Sequence, residues 1–364
     1  SGFITSPNYV DRKTGNVARF HHIVGFAIFE IGSDGFCLPP RHVHIDMETG
    51  EFQDLDVCVN GKGEISTGNS VEGIDYGDAH FFAIDPRVAH ATWYAPNSIQ
   101  NVLKPKEAFL HDTLDFFSRN HHNRHDPFFN HEAAVRGLSV PLEVRQAALG
   151  VISTLRPGTK TYAVASNHDE AMMRWLREAD WKHEPKDNKR LYLQCADWVL
   201  SEIERDPDCV PNAYEYYSRR LFPEQLNSVI FLKRSDKHLV AGVEMSGHGD
   251  KGPNGTKGST QGHLRGARKK ANADCHSPEK REGVSRSGTM MKMNPMPKYA
   301  RGGDSSWANA HVIVYKGGKM TILFVKGSRW RADDYGAEAA YDKAVAAAAK
   351  AVANSNKQKM KKAA

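Results

Sequence analysis

Between residues 18 and 60 apolar and polar positions alternate in short runs, ARFHHIVGFAIFEI and FQDLDVCVN, broken by Gly, Asp and Pro. That period of two is the mark of half-buried strands, so a small β-rich N-terminal unit is predicted over residues 1–70. From about Val71 the texture changes: short apolar runs end in Asp, His and Asn and are followed by helical patterns. This is the texture of an α/β domain whose loops carry chemistry, predicted over 71–332. In TKTYAVASNHDEAMMRWLREADW the pattern predicts a buried strand at Thr161–Ala165, a turn at Ser166–Asp169 and an amphipathic helix at Glu170–Trp181. The runs HLVAGVEMSGHGD, AFLHDTLD and GIDYGDAH repeat the passage from strand to polar loop, and such loops would converge on one edge of a sheet. AHVIVYKGGKMTILFVKG predicts a hairpin turning at Lys316-Gly317-Gly318-Lys319. Beyond it, residues 333–364 read as an Ala-rich helix fading into a basic tail.

Composition adds bounds. With 364 residues, 25% charged and 40% hydrophobic, the chain has ample material for a core. No apolar run approaches the roughly 18 residues of a membrane span, so a soluble protein without a membrane partner is expected. The opening SGFITSPNYVDRK has neither Met nor an apolar run and reads as a processed or truncated end rather than a signal peptide. Five dispersed cysteines without a C-x-x-C pair point to reduced thiols and a cytoplasmic setting. The net charge of +6 is concentrated: Arg265, Arg268, Lys269, Lys270, Lys280, Arg281, Arg286, Lys292, Lys298 and Arg301 fall in one stretch. A solvated surface would account for such a cluster; a polyanionic partner is the sharper reading.

Five separated blocks share ligand chemistry: Gly77-Asp78-Ala79-His80, His111-Asp112-Thr113-Leu114-Asp115, Ser166-Asn167-His168-Asp169-Glu170, Gly247-His248-Gly249-Asp250 and Asp274-Cys275-His276. Each alone is weak. Together and in this order they resemble the calcineurin-like metallophosphoesterase superfamily, whose blocks run D-x-H, G-D-x-x-D, G-N-H-D/E, an isolated H, and G-H-x-H. SNHDE and DCHSPEKREGVSRSGT carry the resemblance best. Within the superfamily, LHDTLDFFSRNHHNRHDP, the NHDEAMMRWLREADW helix, GHGDKGPNGTKGS and SSWANAHVIVYKGGK are similar to pre-early proteins with which large siphophages degrade host DNA.

The resemblance implies an α/β fold, a four-layer α-β-β-α sandwich, here with an added β-rich N-terminal unit and a C-terminal helix. It implies one metal held by Asp78, His80, Asp112 and His276 and a second held by Asp112, Asn167, His248 and Asp274, with Asp112 bridging. Two divalent ions neutralise phosphate charge and make hydroxide at neutral pH. Mixed imidazole, carboxylate and amide ligands suit Mn2+ first, with Mg2+, Zn2+ and Fe2+ as alternatives. His168 would protonate the leaving oxygen, oriented by Asp115, while a metal-bridging hydroxide attacks in line.

Four positions depart from the family pattern. His111 and Ser166 stand where glycines are usual, tolerable where φ is negative. Phe116 replaces a phosphate-binding Arg, a role that Arg119, His121, His122 and Arg124 are placed to take over. Asp274 replaces a histidine, which leaves the second metal site altered or damaged. Lys251 and Lys257, in the Gly-rich loop after His248, are further candidates for phosphate contact. The expected function is therefore a two-metal phosphodiesterase acting on DNA, with a homo-oligomer as a further expectation. The alternatives are a small-nucleotide phosphoesterase, or a catalytically impaired metal-binding protein that interacts with the host.

Overall fold

The computed structural model describes residues 4–363 other than His21, Ala267, Arg268, Pro295, Lys298, Tyr299 and Tyr335, and excludes the side chains of Phe20 and residues 351–363. Arg268 and Lys298 of the basic stretch, and the side chains of the terminal basic run, thus lie outside the described residues.

A helix, Lys13–Phe20, takes up the first residues of the alternating region, where no helix was expected. The alternation itself becomes an antiparallel pair, β1 (Gly25–Ile28) with β2 (Arg41–His44), and a meander of β3 (Phe52–Asp54), β4 (Val57–Val59) and β5 (Ile65–Ser66). Buried Arg41 joins the two pieces: its guanidinium donates to Asp54 at 2.9 and 2.7 Å and to Glu30 at 2.7 Å. The pairing satisfies a cation that burial would otherwise penalise.

Two mixed sheets follow. Strands β6 (Gly73–Asp75), β7 (Glu107–Leu110), β8 (Lys160–Val164) and β9 (Val229–Leu232) run parallel. Strands β10 (Leu239–Val240), β11 (Val243–Glu244), β12 (Lys270–Asn272), β13 (Glu279–Arg281) and β14 (Val284–Arg286) form the second sheet, in the order β10-β11-β12-β14-β13. The chain then returns to the first sheet with β15 (Ala310–Tyr315) and β16 (Lys319–Phe324), giving the order β16-β15-β6-β7-β8-β9. The β15–β16 turn is made by Lys316–Gly318, with Gly317 and Gly318 at φ 72° and 69°, a backbone that glycine adopts without penalty.

Period-two alternation divides the first sheet's side chains between two cores. Phe109, Tyr162, Val164, Val312 and Val314 meet Val240, Val243, Met245 and Ala271 of the second sheet's region. Ala108, Leu110, Ile74 and Ile313 face Val88, Trp93, Ile99, Leu103, Ala148 and Val151, which come from helices. The fold is thus mixed α/β, with helices, a first sheet and a second sheet packed in layers. A third core, around Trp175, Phe116, Leu114 and Tyr214, binds the helices Val140–Thr154, Asn167–Glu178, Lys186–Arg205 and Ala213–Leu221 together. Among the described residues no helix is long and apolar enough to cross a membrane.

The helix after β8 differs from expectation at both ends, stopping at Glu178 rather than Trp181. The helix predicted to begin at Glu170 begins at Asn167, because Ser166 caps it: the Ser166 hydroxyl accepts from Asp169 N at 3.1 Å. Helix therefore takes up the block that was expected to form a turn.

Candidate metal centre

The parallel strands end in the polar blocks. Asp78 and His80 follow β6, Asp112 and Asp115 follow β7, and His168 and Asp169 open the helix after β8. His248 follows β11 and Asp274 and His276 follow β12, so the second sheet supplies the other half of the site. Ligand atoms of Asp78, His80, Asp112 and His276 all lie within 4.8 Å of one another, and all four residues are buried.

Individual approaches are close. His80 Nε2 is 3.2 Å from His276 Nε2 and 3.5 Å from Asp112 Oδ2, and His276 Nε2 is 3.2 Å from Asp78 Oδ2. His248 Nε2 lies 3.4 Å from Asp112 Oδ1 and 3.9 Å from Asp274 Oδ1, so Asp112 stands between two imidazole groups. Asp274 N donates to Asp78 Oδ2 at 3.0 Å. Asp78 Oδ1, Asp112 Oδ1 and His248 Nε2 are buried with no hydrogen-bond partner among the described residues. Orphaned buried polar atoms are costly. A divalent cation would satisfy them, and the oxygen and imidazole donors present fit one.

Charge follows the geometry. Burial works against the charged forms of His80, His248, Asp112 and Asp78, and their neighbours override it. Asp115, Asp112 and Asp78 carry His80 up to about 9. Asp112 and Asp78 carry His248 up to about 10. Despite its burial, Asp112 is held well below the usual carboxylate range by His248, His168 and His80. Asp78 is held low by His276 and His248 against both burial and Asp112. Without a metal His80 and His248 hold protons that a cation would displace.

The backbone is strained at the same place. Ten described non-glycine residues have positive φ, and five of them border this centre: His80 (43°), Asp112 (46°), Phe116 (49°), Asp274 (77°) and His276 (58°). Each costs on the order of 1–3 kcal/mol, a cost that concentrates at functional sites.

Other expected residues fall differently. Asn167 is exposed at the helix start. The Asp115 carboxylate, expected to orient His168, instead accepts from His80 Nδ1 at 2.9 Å and Phe82 N at 2.9 Å; it is the Asp115 carbonyl that meets His168 Nδ1, at 3.2 Å. Arg119 is held by Glu184 at 2.8 Å and Asn130 at 2.7 Å, so its guanidinium is committed to the fold rather than offered to phosphate. Arg124 pairs with Glu178 at 2.8 Å. The rings of His121 and His122 lie tilted against each other with centroids 3.8 Å apart, His122 being exposed. Lys251 and Lys257 face each other across a bridge in an exposed loop, and the Lys251 ammonium lies 3.6 Å from Glu170.

Asp274 divides its two oxygens: Oδ2 accepts from Arg286 at 3.3 Å, while Oδ1 faces His248. Burial, with Asp78 and Asp112 nearby, raises its carboxyl above the usual range. Cys275 donates to Ser277 O at 3.1 Å.

Both replaced glycines are accommodated. Ser166 has φ −123°, and His111 is not in the left-handed region. His111 is fully buried, its Nε2 2.6 Å from Asp75 Oδ1 and its Nδ1 3.4 Å from His248 Nδ1. It therefore buttresses the imidazole of the second sheet, a contact that sequence reasoning missed although His111 stood out as a departure. Asp169 was missed too. It accepts from Leu114 N at 3.2 Å and ties the helix to the Asp112 loop; burial, with Asp112 beside it, pushes its carboxyl up to about 7. Its place within SNHDE was the available signal. Trp307 was given no role although it lies within SSWANAHVIVYKGGK; its ring meets His276 edge-on at 4.3 Å between centroids.

No family model matches this sequence, and no solved structure matches it. It is similar to Protein A1 of Escherichia phage T5, with 31% identity over 335 residues. The match takes in 91% of this chain and 59% of that protein, so the chain spans less than two thirds of its relative's length. The chain is a homologue of a bacteriophage protein, and its own buried Asp/His cluster could hold a metal ion.

Proposed function

We propose that this chain is a metal-dependent phosphodiesterase that cuts DNA, a nuclease of calcineurin-like architecture working on host DNA in the cytoplasm of an infected bacterium. The observation that carries the reading is the convergence of Asp78, His80, Asp112 and His276 with unpartnered buried donor atoms. Similarity to a phage protein supports the setting. Helix, sheet and sheet layers with the cluster at strand ends are compatible with the α-β-β-α sandwich.

A first ion would be held by Asp78, His80, Asp112 and His276, and a second by Asp112, His248 and Asp274, with exposed Asn167 the member that stands apart. Divalent ions in such a site supply charge neutralisation on phosphate and hydroxide at neutral pH, with manganese the first choice. The chain's own residues do the rest. Asp115 accepts from His80 Nδ1 and so aims Nε2 into the cluster. A carbonyl can only accept, so the Asp115 carbonyl keeps a proton on His168 Nδ1 and leaves Nε2 as the atom that exchanges a proton with a leaving oxygen.

The test is digestion of linear DNA by metal-stripped protein resupplied with Mn2+, beside His80→Ala and Asp112→Asn. Cutting by the parent chain alone is expected. A parent chain that does not cut, or variants that cut equally well, would sink the reading. The Arg286 contact to Asp274 favours a second reading, in which that carboxylate is neutralised and the second ion is held loosely. Cutting by Asp274→His but not by the parent chain would establish it.

A further inference from the structure

Trp307 belongs to two places at once. Its ring packs edge-on against His276, and it also lines a cavity of about 900 Å3, at the upper end of the range for small-ligand clefts. Ala308 N donates to His276 O at 3.1 Å, so this wall of the cavity is pinned to the loop that carries a candidate metal ligand.

The lining has a definite chemistry. Three exposed cations, Arg87, Lys292 and Lys326, border it, along with the half-buried rings of Trp307 and Tyr341. Among its described lining residues Asp85 is the one carboxylate, and that side chain is occupied in accepting from Arg87 N at 2.8 Å. Arg87 also lies 3.5 Å from Glu338 and over the Tyr341 ring at 5.8 Å, while Lys326 lies over Phe36 at 5.4 Å. Lys292 is in no ion pair among the described residues. The border therefore keeps a positive surplus beside aromatic rings, the combination that holds single-stranded nucleic acid through phosphate contacts and base stacking.

We propose that this cavity is a nucleotide-binding subsite of the candidate centre. It holds an unpaired stretch of the DNA strand next to the phosphate that is cut, with phosphates on Lys292, Lys326 and Arg87 and bases against Trp307 or Tyr341. The substrate class rests on the nuclease reading above. Of the contacts expected from sequence this face holds Lys292 of the basic stretch, whereas Arg119 is tied into the fold and Lys251 and Lys257 lie in a different loop.

The experiment uses the full chain without metal, so that binding is read apart from cutting. A fluorescent oligothymidylate is titrated by anisotropy against the parent chain, Lys292→Glu and Trp307→Ala. Each substitution is expected to weaken binding about tenfold, the size of one stacking or phosphate contact, and Lys292→Glu is expected to flatten the salt dependence by about one unit of slope. Cys37, an exposed thiol in the lining, reports occupancy in the unaltered protein. Saturating oligonucleotide should slow its alkylation by iodoacetamide, read by peptide mass spectrometry, while Cys209 reacts at its free rate. Unchanged affinity of Lys292→Glu, or a Cys37 alkylated equally fast with oligonucleotide present, overturns the subsite. Failure of the nuclease reading has a different signature: a parent chain that binds the oligonucleotide, protects Cys37 and cuts no DNA when manganese is supplied.

Discussion

Metal binding should appear first as stability. Asp78 and Asp112 are both buried, each with an oxygen lacking a hydrogen-bond partner, so a cation binds the folded chain and has little to hold in the unfolded one. At a hundredfold excess over its dissociation constant, a ligand specific to the folded state contributes about 2.7 kcal/mol. An unfolding entropy of about 2.1 cal/mol/K per residue gives roughly 0.76 kcal/mol/K for 364 residues. The expected rise in Tm is therefore about 3–4 °C on adding Mn2+ to stripped protein, read by scanning calorimetry. Asp112→Asn should abolish the rise, because Asp112 faces both His80 and His248. Lys62→Ala, on the exposed N-terminal unit, should keep it. A Tm indifferent to millimolar Mn2+, or an Asp112→Asn protein with the full shift, would refute the assignment of these residues to a metal.

Three further outcomes follow from packing and charge. Trp175, 1% exposed and packed on Phe116 and Tyr192, should cost about 3–5 kcal/mol in urea unfolding when replaced by Ala. A Cβ at Gly288 would sit 1.9 Å from Ala308 O, and Gly288 O accepts from Asp78 N, so Gly288→Ala should lose roughly 3 kcal/mol and weaken metal binding in the same titration. Burial pushes the Glu143 carboxyl up to about 7 although Ser118 N and Phe117 N donate to it. A raised acid keeps its proton in the folded state while the unfolded chain releases it, so its contribution is largest below pH 4.5 and is lost as pH rises to 7. The stability of the parent relative to Glu143→Gln should thus fall by about 2–3 kcal/mol between pH 4.5 and 8, measured by urea unfolding at each pH.

Much of the centre was legible because its chemistry is local. Each block pairs a strand end with a polar loop, and the residues at the cluster, Asp78, His80, Asp112, His248, Asp274 and His276, are the ones those blocks singled out. The strand before SNHDE and the hairpin around Gly317-Gly318 were legible for the same reason. What the sequence hid depends on direction. That the Asp115 carboxylate turns toward His80 rather than His168 depends on the approach of a loop 35 residues away in the chain, which no local rule gives. Arg119 reads as a phosphate contact until Glu184, far along the chain, claims it. Ser166 as a helix cap could have been read, and the turn signal of Ser-Asn outweighed it.

The two sheets each bring half of the centre, and His80 and His276 are 196 residues apart in the chain. Neither half can chelate alone with the full donor set, and short-range structure cannot bring the halves together. The site closes only when both sheets have formed and docked on each other, so it depends on tertiary assembly and not on either sheet alone. Metal stoichiometry therefore counts finished molecules: in a preparation with correct secondary structure but undocked sheets, the bound metal per chain would fall below that of native protein by the fraction left undocked. A metal titration would then serve as an assay of assembly even for variants that have lost all activity.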